Sequence, residues 1–279
     1  SPAAASFGVH AFYPSQEEDR TTAAGDVNGD GYIDLATGGD SGNVTIRLND
    51  GEGSFGPATS LFAEAAIRSL AIGQFVGDGS FDLAVGSLYT FMVFEGDGSG
   101  VFGPVPEFQQ STRATSLAAG DLNGDGKPDF AAVHEQVEVL LGNGDGTFST
   151  LAGFAAGDGP ASVVISNLDG DTKPDLAVAN ARSHNVSILL GNGDGTFQPA
   201  ISYPLENNPV GDTFFDDADM SVAVDDFDRD GARDLAVSDS FAQGISVFRG
   251  DGTGSFGGVT QVGGVSEPTS MTTADFNSD

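Results

Sequence analysis

Apolar and polar positions alternate along this chain in short runs whose period is two rather than 3.6. The run "SLAAGDL" (116–122) enters an acidic stretch, "DFAAV" (129–133) leaves it, and "VEVLL" (137–141) follows before a Gly/Asn/Asp turn and Phe148. Short alternating runs bounded by Gly, Asn and Asp mark strands. No segment carries a helical period long enough to count. The same order of runs recurs along the chain, which predicts one unit of four strands used repeatedly.

Two signatures alternate in fixed order. The acidic one reads "GDVNGDGYIDLA" (25–36), "GQFVGDGSFDLA" (73–84), "GDLNGDGKPDFA" (120–131), "SNLDGDTKPDLA" (166–177) and "DDFDRDGARDLA" (225–236), with "ADFNSD" (274–279) opening a sixth. The glycine-rich one reads "LNDGEGSFGPA" (48–58), "FEGDGSGVFGPV" (94–105), "LLGNGDGTFST" (140–150), "LLGNGDGTFQPA" (189–200) and "FRGDGTGSFGGV" (248–259). Acidic motifs begin at residues 26, 74, 121, 167, 226 and 275, so the repeat is 46–49 residues long apart from one step of 59. Repeats of ~40–50 residues, each a four-stranded sheet, define a β-propeller. A parallel β-helix would need a far shorter period. The expected fold class is all-β: one propeller domain over 1–279, built of four-stranded antiparallel blades, with about six repeats visible and six or seven blades when complete. "SFGVHAFYP" (6–14) reads as a turn and an outermost strand, and "SMTTADFNSD" (270–279) as an innermost strand entering an acidic loop, so the chain is expected to stop inside a blade.

The acidic motif carries the candidate chemistry. In Asp121-x-Asn123-x-Asp125-Gly-x-x-Asp129, side-chain oxygens at positions one, three, five and nine and the carbonyl of Lys127 at seven can wrap one hard cation. Calcium takes ~6–8 oxygens at ~2.3–2.6 Å, whereas zinc would want His or Cys, which the loop lacks. Asx turns without an ion are the competing reading, since Asp, Asn and Gly also favour bare turns. The first loop (Asp26, Asn28, Asp30, Tyr32, Asp34) and the fifth (Asp226, Asp228, Asp230, Ala232, Asp234) hold complete sets. The fourth (Asn167, Asp169, Asp171, Lys173, Asp175) has Thr172 in place of glycine and is still expected to bind. The second has Gln74 and Val76 at positions one and three and is expected to be empty or weakly occupied. About four calcium ions are therefore expected.

Composition narrows the partners. The 279 residues carry 10 Lys+Arg against 41 Asp+Glu, a formal net charge of −31. Phosphate neutralisation needs clustered Lys and Arg, so nucleic acid is excluded, and so is docking on anionic lipid. No apolar run approaches the ~20 residues that span a bilayer, so no membrane insertion is expected. The absence of cysteine removes disulfides and thiolate metal sites.

The alternating motifs, Phe55-Gly56 and Phe102-Gly103 followed by the next D-x-[DN]-x-D-G-x-x-D-L loop, resemble the FG-GAP/VCBS repeats also found in the head of integrin α subunits. The resemblance covers essentially the whole chain and implies a usually seven-bladed propeller with calcium between strands one and two. Fungal propeller lectins and bacterial exported proteins are similar as well. Fold alone fixes no ligand.

Other features have bland readings. Arg249-Gly250-Asp251 occupies the turn filled by "GNGDG" in other repeats and reads as a hairpin turn. Phe55, Phe102, Phe148, Phe197 and Phe256 share one repeat position and read as inter-blade core. His10, His134 and His184 fall at different repeat positions, and no residue stands out as base or nucleophile. Acidic loops and glycine-rich turns lie at one end of the propeller, leaving the variable connections at the other. The long step contains "ENNPVGDTFFDDADM" (206–220), where Phe214 and Phe215 beside Asp216 and Asp217 read equally as a ligand loop or as cover for a blade edge. The chain is thus read as a monomeric, non-catalytic, calcium-stabilised interaction or adhesion module, secreted or at the cell surface. Its protein or glycan partner would bind opposite the calcium loops. A carbohydrate-binding propeller and a lyase or hydrolase domain are the alternatives.

Overall fold

The computed structural model describes residues 19–63, 65–110, 113–205, 220–239, 244–264 and 268–274. Their strands form four-stranded antiparallel sheets, five in all, each taken in chain order. Blade 1 is β1 (Asp19–Gly25), β2 (Asp34–Gly39), β3 (Asn43–Arg47) and β4 (Thr59–Phe62). Blade 2 is β5 (Ile67–Gly73), β6 (Asp82–Ser87), β7 (Phe91–Gly96) and β8 (Phe102–Gln110). Blade 3 is β9 (Ser116–Gly120), β10 (Asp129–Val133), β11 (Val137–Gly142) and β12 (Phe148–Thr150). Blade 4 is β13 (Pro160–Ser166), β14 (Asp175–Asn180), β15 (Asn185–Leu189) and β16 (Ile201–Pro204). Blade 5 is β17 (Met220–Asp225), β18 (Asp234–Asp239), β19 (Gly244–Gly250) and β20 (Phe256–Gly263). The four-strand meander expected from the two-residue period is present in every blade. Residues 6–14, the sixth acidic motif and the 206–219 insertion, with Phe214, Phe215, Asp216 and Asp217, lie outside the described residues.

Burial explains why the second strands are so apolar. β6, β10 and β14 are buried at every position because neighbouring blades cover both faces. Apolar clusters lie between successive blades; Phe148, Phe197 and Phe256 belong to them, Phe102 packs on one while partly buried, and Phe55 is only half-buried. The Phe148 ring lies tilted 5.2 Å from Phe130, which meets Phe75 at 4.7 Å and Phe91 at 5.0 Å. Phe148, Phe197 and Phe256 are buried, as inter-blade core requires.

Polar contacts set the spacing of the innermost strands. The N–H of Leu117 donates to Ser69 Oγ at 3.0 Å, Val163 to Ser116 at 3.3 Å, Val222 to Ser162 at 3.3 Å and Met271 to Ser221 at 3.3 Å. Each serine lies five residues before its acidic motif, and each donor four before the next. A first strand has a neighbouring blade rather than a β partner on its inner edge, and these serines satisfy one of its exposed amides.

A second latch joins the two signatures across blades. The N–H of Gly146 donates to Phe75 O (3.2 Å), Gly195 to Leu122 O (3.1 Å) and Gly254 to Leu168 O (3.2 Å). In blades 3, 4 and 5 the glycine-rich turn therefore grips the acidic loop of the blade before it, and Phe75, Leu122 and Leu168 are buried beneath.

Candidate metal centre

Each acidic loop joins the first strand of a blade to its second and folds on one backbone template. Positions four and six are left-handed in all five described loops: Gly29/Gly31, Gly77/Gly79, Gly124/Gly126, Gly170/Thr172 and Arg229/Gly231. These turns aim the loop amides at position one. Asp121 Oδ1 accepts from Gly124 N (2.8 Å) and Asp125 N (3.1 Å), and Oδ2 from Gly126 N (2.8 Å). Asn123 Oδ1 then accepts from Asp125 N at 2.9 Å and Asp125 Oδ1 from Lys127 N at 2.9 Å. The first loop repeats this with Asp26, Asn28 and Asp30. In the fifth, Asp226 accepts from Asp230 N and Gly231 N, and Asp230 from Ala232 N. Asn167 in the fourth has one carbonyl oxygen, which takes Gly170 N, while Asp169 and Asp171 accept from Asp171 N and Lys173 N. Asx turns and a cation site are thus compatible, since an oxygen accepting one N–H keeps a lone pair for an ion.

Position nine has a second role that spacing alone did not suggest. Asp129 is fully buried; its Oδ2 accepts from Leu122 N (2.8 Å) in the acidic loop and its Oδ1 from Gly142 N (2.8 Å) at the start of the glycine-rich turn. Asp34 bridges Val27 N and Asn49 N, Asp175 bridges Leu168 N and Gly191 N, and Asp234 bridges Phe227 N and Gly250 N. Asp82 does the same in the second loop, taking Phe75 N, Val76 N and Gly96 N. This aspartate staples the two signatures of one blade together, even where Gln74 and Val76 replace the acidic or amide oxygens usual at positions one and three. There Gln74 turns its amide to Gly79 O at 3.0 Å.

Position seven covers the neighbouring turn. Tyr32 lies over Gly51, Lys127 over Gly144, Lys173 over Gly193 and Ala232 near Gly252, where a β-carbon on the first three glycines would collide or crowd. That contact ties turn to loop within each blade.

Electrostatics favour a cation. Burial pushes the Asp129 carboxyl above its ordinary value against the pull of Gly142 and Leu122 N–H, with the charges of Asp125 and Asp121 adding to the rise. Asp175 is raised by burial in the same way, with Asp169 and Asp171 adding. The Lys173 ammonium holds Asp171 below the ordinary carboxylate range, at 2.9 Å. In the fifth loop one carboxylate oxygen from each of Asp226, Asp228 and Asp234 lies within 4.8 Å of the others, and no other group of three Asp, Glu or His reaches that spacing among the described residues. An all-oxygen set of this size fits a hard divalent ion such as calcium. Arg249 Nη1 already stands 3.1 Å from Asp228 Oδ2. Arg249 and Gly250 end β19 and Asp251 opens the turn, its Oδ1 accepting from Thr253 N at 2.8 Å, so this tripeptide is built into a hairpin. A cleft of about 270 Å³ opens at this same end between blades 2 and 3, beside Phe75, Gly120, Lys127 and Pro128.

The serine ladder, the position-nine staple and the left-handed residue at position four were not read from sequence. A serine five before each motif and the paired glycines of "NGDG" were the available signals. Phe227 is 42% exposed where Val27, Phe75, Leu122 and Leu168 are buried, because no following blade covers it among the described residues.

The sheets, their order and the inter-blade latches define the class: a repeat protein of β-propeller blades. The chain belongs to the FG-GAP-like repeat family, whose profile matches residues 26–85, 75–132, 167–237 and 226–279. No curated protein matches it. Among solved structures it is similar to an Agrocybe aegerita lectin that recognises non-reducing terminal N-acetylglucosamine (TM-score 0.56, 23% identity, 85% of this chain and 64% of the lectin). It is also similar to a Lactobacillus plantarum protein (TM-score 0.61, 14% identity, 91% of this chain and 73% of that one). A third is a periplasmic gluconolactonase of Pseudomonas aeruginosa (TM-score 0.60, 16% identity, 88% and 71%). The chain spans less than two thirds of the lectin's length, and these likenesses describe the fold.

Proposed function

We propose that this chain is a calcium-stabilised, non-catalytic interaction module that works outside the cell. The convergence of Asp226, Asp228 and Asp234 carries the reading. Four loops, the first, third, fourth and fifth, hold one ion each through their side chains at positions one, three, five and nine and the carbonyls of Tyr32, Lys127, Lys173 and Ala232. Calcium neutralises carboxylates that otherwise repel, so its binding energy becomes folding energy. Loops of this kind fill where free calcium is high, which supports secretion or the cell surface. A protein or glycan partner binds a monomer at the end opposite the loops, where connection lengths vary most.

The neighbours divide between a lectin and a lactonase, so the shared fold selects neither sugar binding nor hydrolysis. Calorimetric calcium titration with melting in calcium and in EDTA tests the proposal. At 100 times Kd each ion contributes about 2.7 kcal/mol. Chelation should therefore lower Tm by several degrees, and an unchanged melt rejects structural calcium. A glycan array against a protein pull-down separates the partner classes.

A further inference from the structure

The end opposite the acidic loops carries a cluster of different character. Tyr89 lies in the turn between β6 and β7, Arg113 in the connection entering β9, and His134 in the turn between β10 and β11. The Arg113 guanidinium stands over the Tyr89 ring at 5.8 Å, and its Nη1 is 3.0 Å from His134 Nε2. Tyr89 is 60% exposed and Arg113 is exposed.

What separates Arg113 from six other cations of this acidic chain is its company. Arg20 and Arg68 share Asp40; Lys127, Lys173, Arg233 and Arg249 hold Asp125, Asp171, Asp225 and Asp228. Among the described residues Arg113 has no carboxylate partner; it meets an imidazole and a phenol ring. Burial lowers the affinity of His134 for a proton, and Arg113 lowers it further, so the imidazole accepts from the guanidinium at neutral pH. With Nη1 committed to His134, the Nε and Nη2 edge of this exposed residue makes no hydrogen bond among the described residues. That edge is the geometry that grips a carboxylate bidentately. Arg182, acting on His134 from the next blade, adds positive potential, and Glu135 and Glu138 oppose it.

We propose that Tyr89, Arg113 and His134 form a binding site for a carboxylate carried on a compact ring. The fork of Arg113 takes the carboxylate, His134 fixes the fork, and the exposed Tyr89 ring takes the apolar body. The opposing glutamates limit the site to singly charged ligands of modest affinity, about millimolar. The proposal rests on reading this end as the partner-binding end, and it deepens that reading by naming a ligand class. It does not depend on calcium.

NMR titration of the whole chain, followed at the His134 imidazole in calcium and in EDTA below the melting temperature, tests it. The probes are glucuronate and benzoate, with acetate as the ringless carboxylate and glucose, benzyl alcohol and sulfate as controls. Both carboxylates, or one of them, should shift His134 saturably; which of them binds more tightly tells an acidic sugar from an aromatic acid. Arg113→Gln should weaken binding by about tenfold or more. Arg113→Lys, which keeps the charge without the fork, should weaken it as well, and it stands in if Arg113→Gln fails to fold. Tyr89→Ala should weaken benzoate or glucuronate more than acetate. No response to either carboxylate at about 50 mM overturns the proposal. So does undiminished binding in both arginine variants, or equal affinity for sulfate or the neutral rings. Carboxylate binding with no partner at this end would instead leave the site standing and reject the module reading.

Discussion

Arg249 and Asp228 form an ion pair 3.1 Å long, which places a guanidinium against the acidic loop where three carboxylates converge. The pair brings together the two signatures of blade 5, because Arg249 lies in β19 and Asp228 in the loop before β18. It also makes the arginine a competitor for any cation seated among Asp226, Asp228 and Asp234.

Removing that competitor should tighten the fifth site. Arg249→Gln is expected to raise its calcium affinity about two- to tenfold at low salt, because two like charges no longer share Asp228. The gain should shrink as salt is added. Calorimetry at two ionic strengths measures it; an unchanged or lower affinity means that Arg249 supports the ion instead of opposing it.

The position-nine aspartates should matter with or without an ion. Asp82→Asn turns an NH₂ toward a backbone N–H in a buried corner, at a cost of about 1–3 kcal/mol. Asp129→Asn should cost about the same in EDTA and more in calcium. Asp125→Ala, on the exposed side of the third loop, should weaken calcium binding, whereas Asp78→Ala in the ligand-poor loop should change little. Denaturant unfolding in EDTA and in calcium measures the aspartate-to-asparagine variants and calorimetric calcium titration the alanine variants; a neutral Asp82→Asn would sink the staple.

Thr172 and Arg229 occupy left-handed positions filled by glycine in sister loops, with φ of 77° and 63°. A β-branched residue is poorly suited to that region, by about 1–2 kcal/mol. Thr172→Gly recovers this less the entropy glycine loses on folding, so a net gain of about 0.5–1 kcal/mol is expected. A higher Tm shows it, and a lower one would mean that the Thr172 side chain makes a compensating contact.

How much of this was legible depends on which periodicity a residue obeys. The strands, their order and the acidic loops follow the two-residue alternation and the 46–49-residue repeat, so both were readable. Asp129 was readable as an acidic residue but not as a bridge, because Gly142 reaches it only once β10 and β11 pair. Ser69, Ser116, Ser162 and Ser221 were equally periodic, yet serine is unremarkable in a strand until the neighbouring blade supplies Leu117, Val163, Val222 and Met271. Tyr89, Arg113 and His134 were invisible for the opposite reason. They belong to different repeat positions: the pairing of β9 with β10 brings Arg113 to His134, and the packing of blade 2 on blade 3 brings Tyr89 to both.

His134 gives the last test, and its sign follows from its surroundings. Burial, then the Arg113 charge, lowers its pKa below the ordinary histidine value of 6.5, against the weaker pull of Glu135 and Glu138. The unfolded chain therefore takes up this proton before the folded one does. The contribution to stability is fully present above pH 6.5 and is lost as pH falls through the folded pKa. In Arg113→Gln the imidazole should titrate closer to 6.5 without reaching it, because burial remains the larger cause. NMR titration of both proteins reads the two values directly. An imidazole that titrates above 6.5 in the parent, or is unmoved by Arg113→Gln, would break the link between guanidinium and ring.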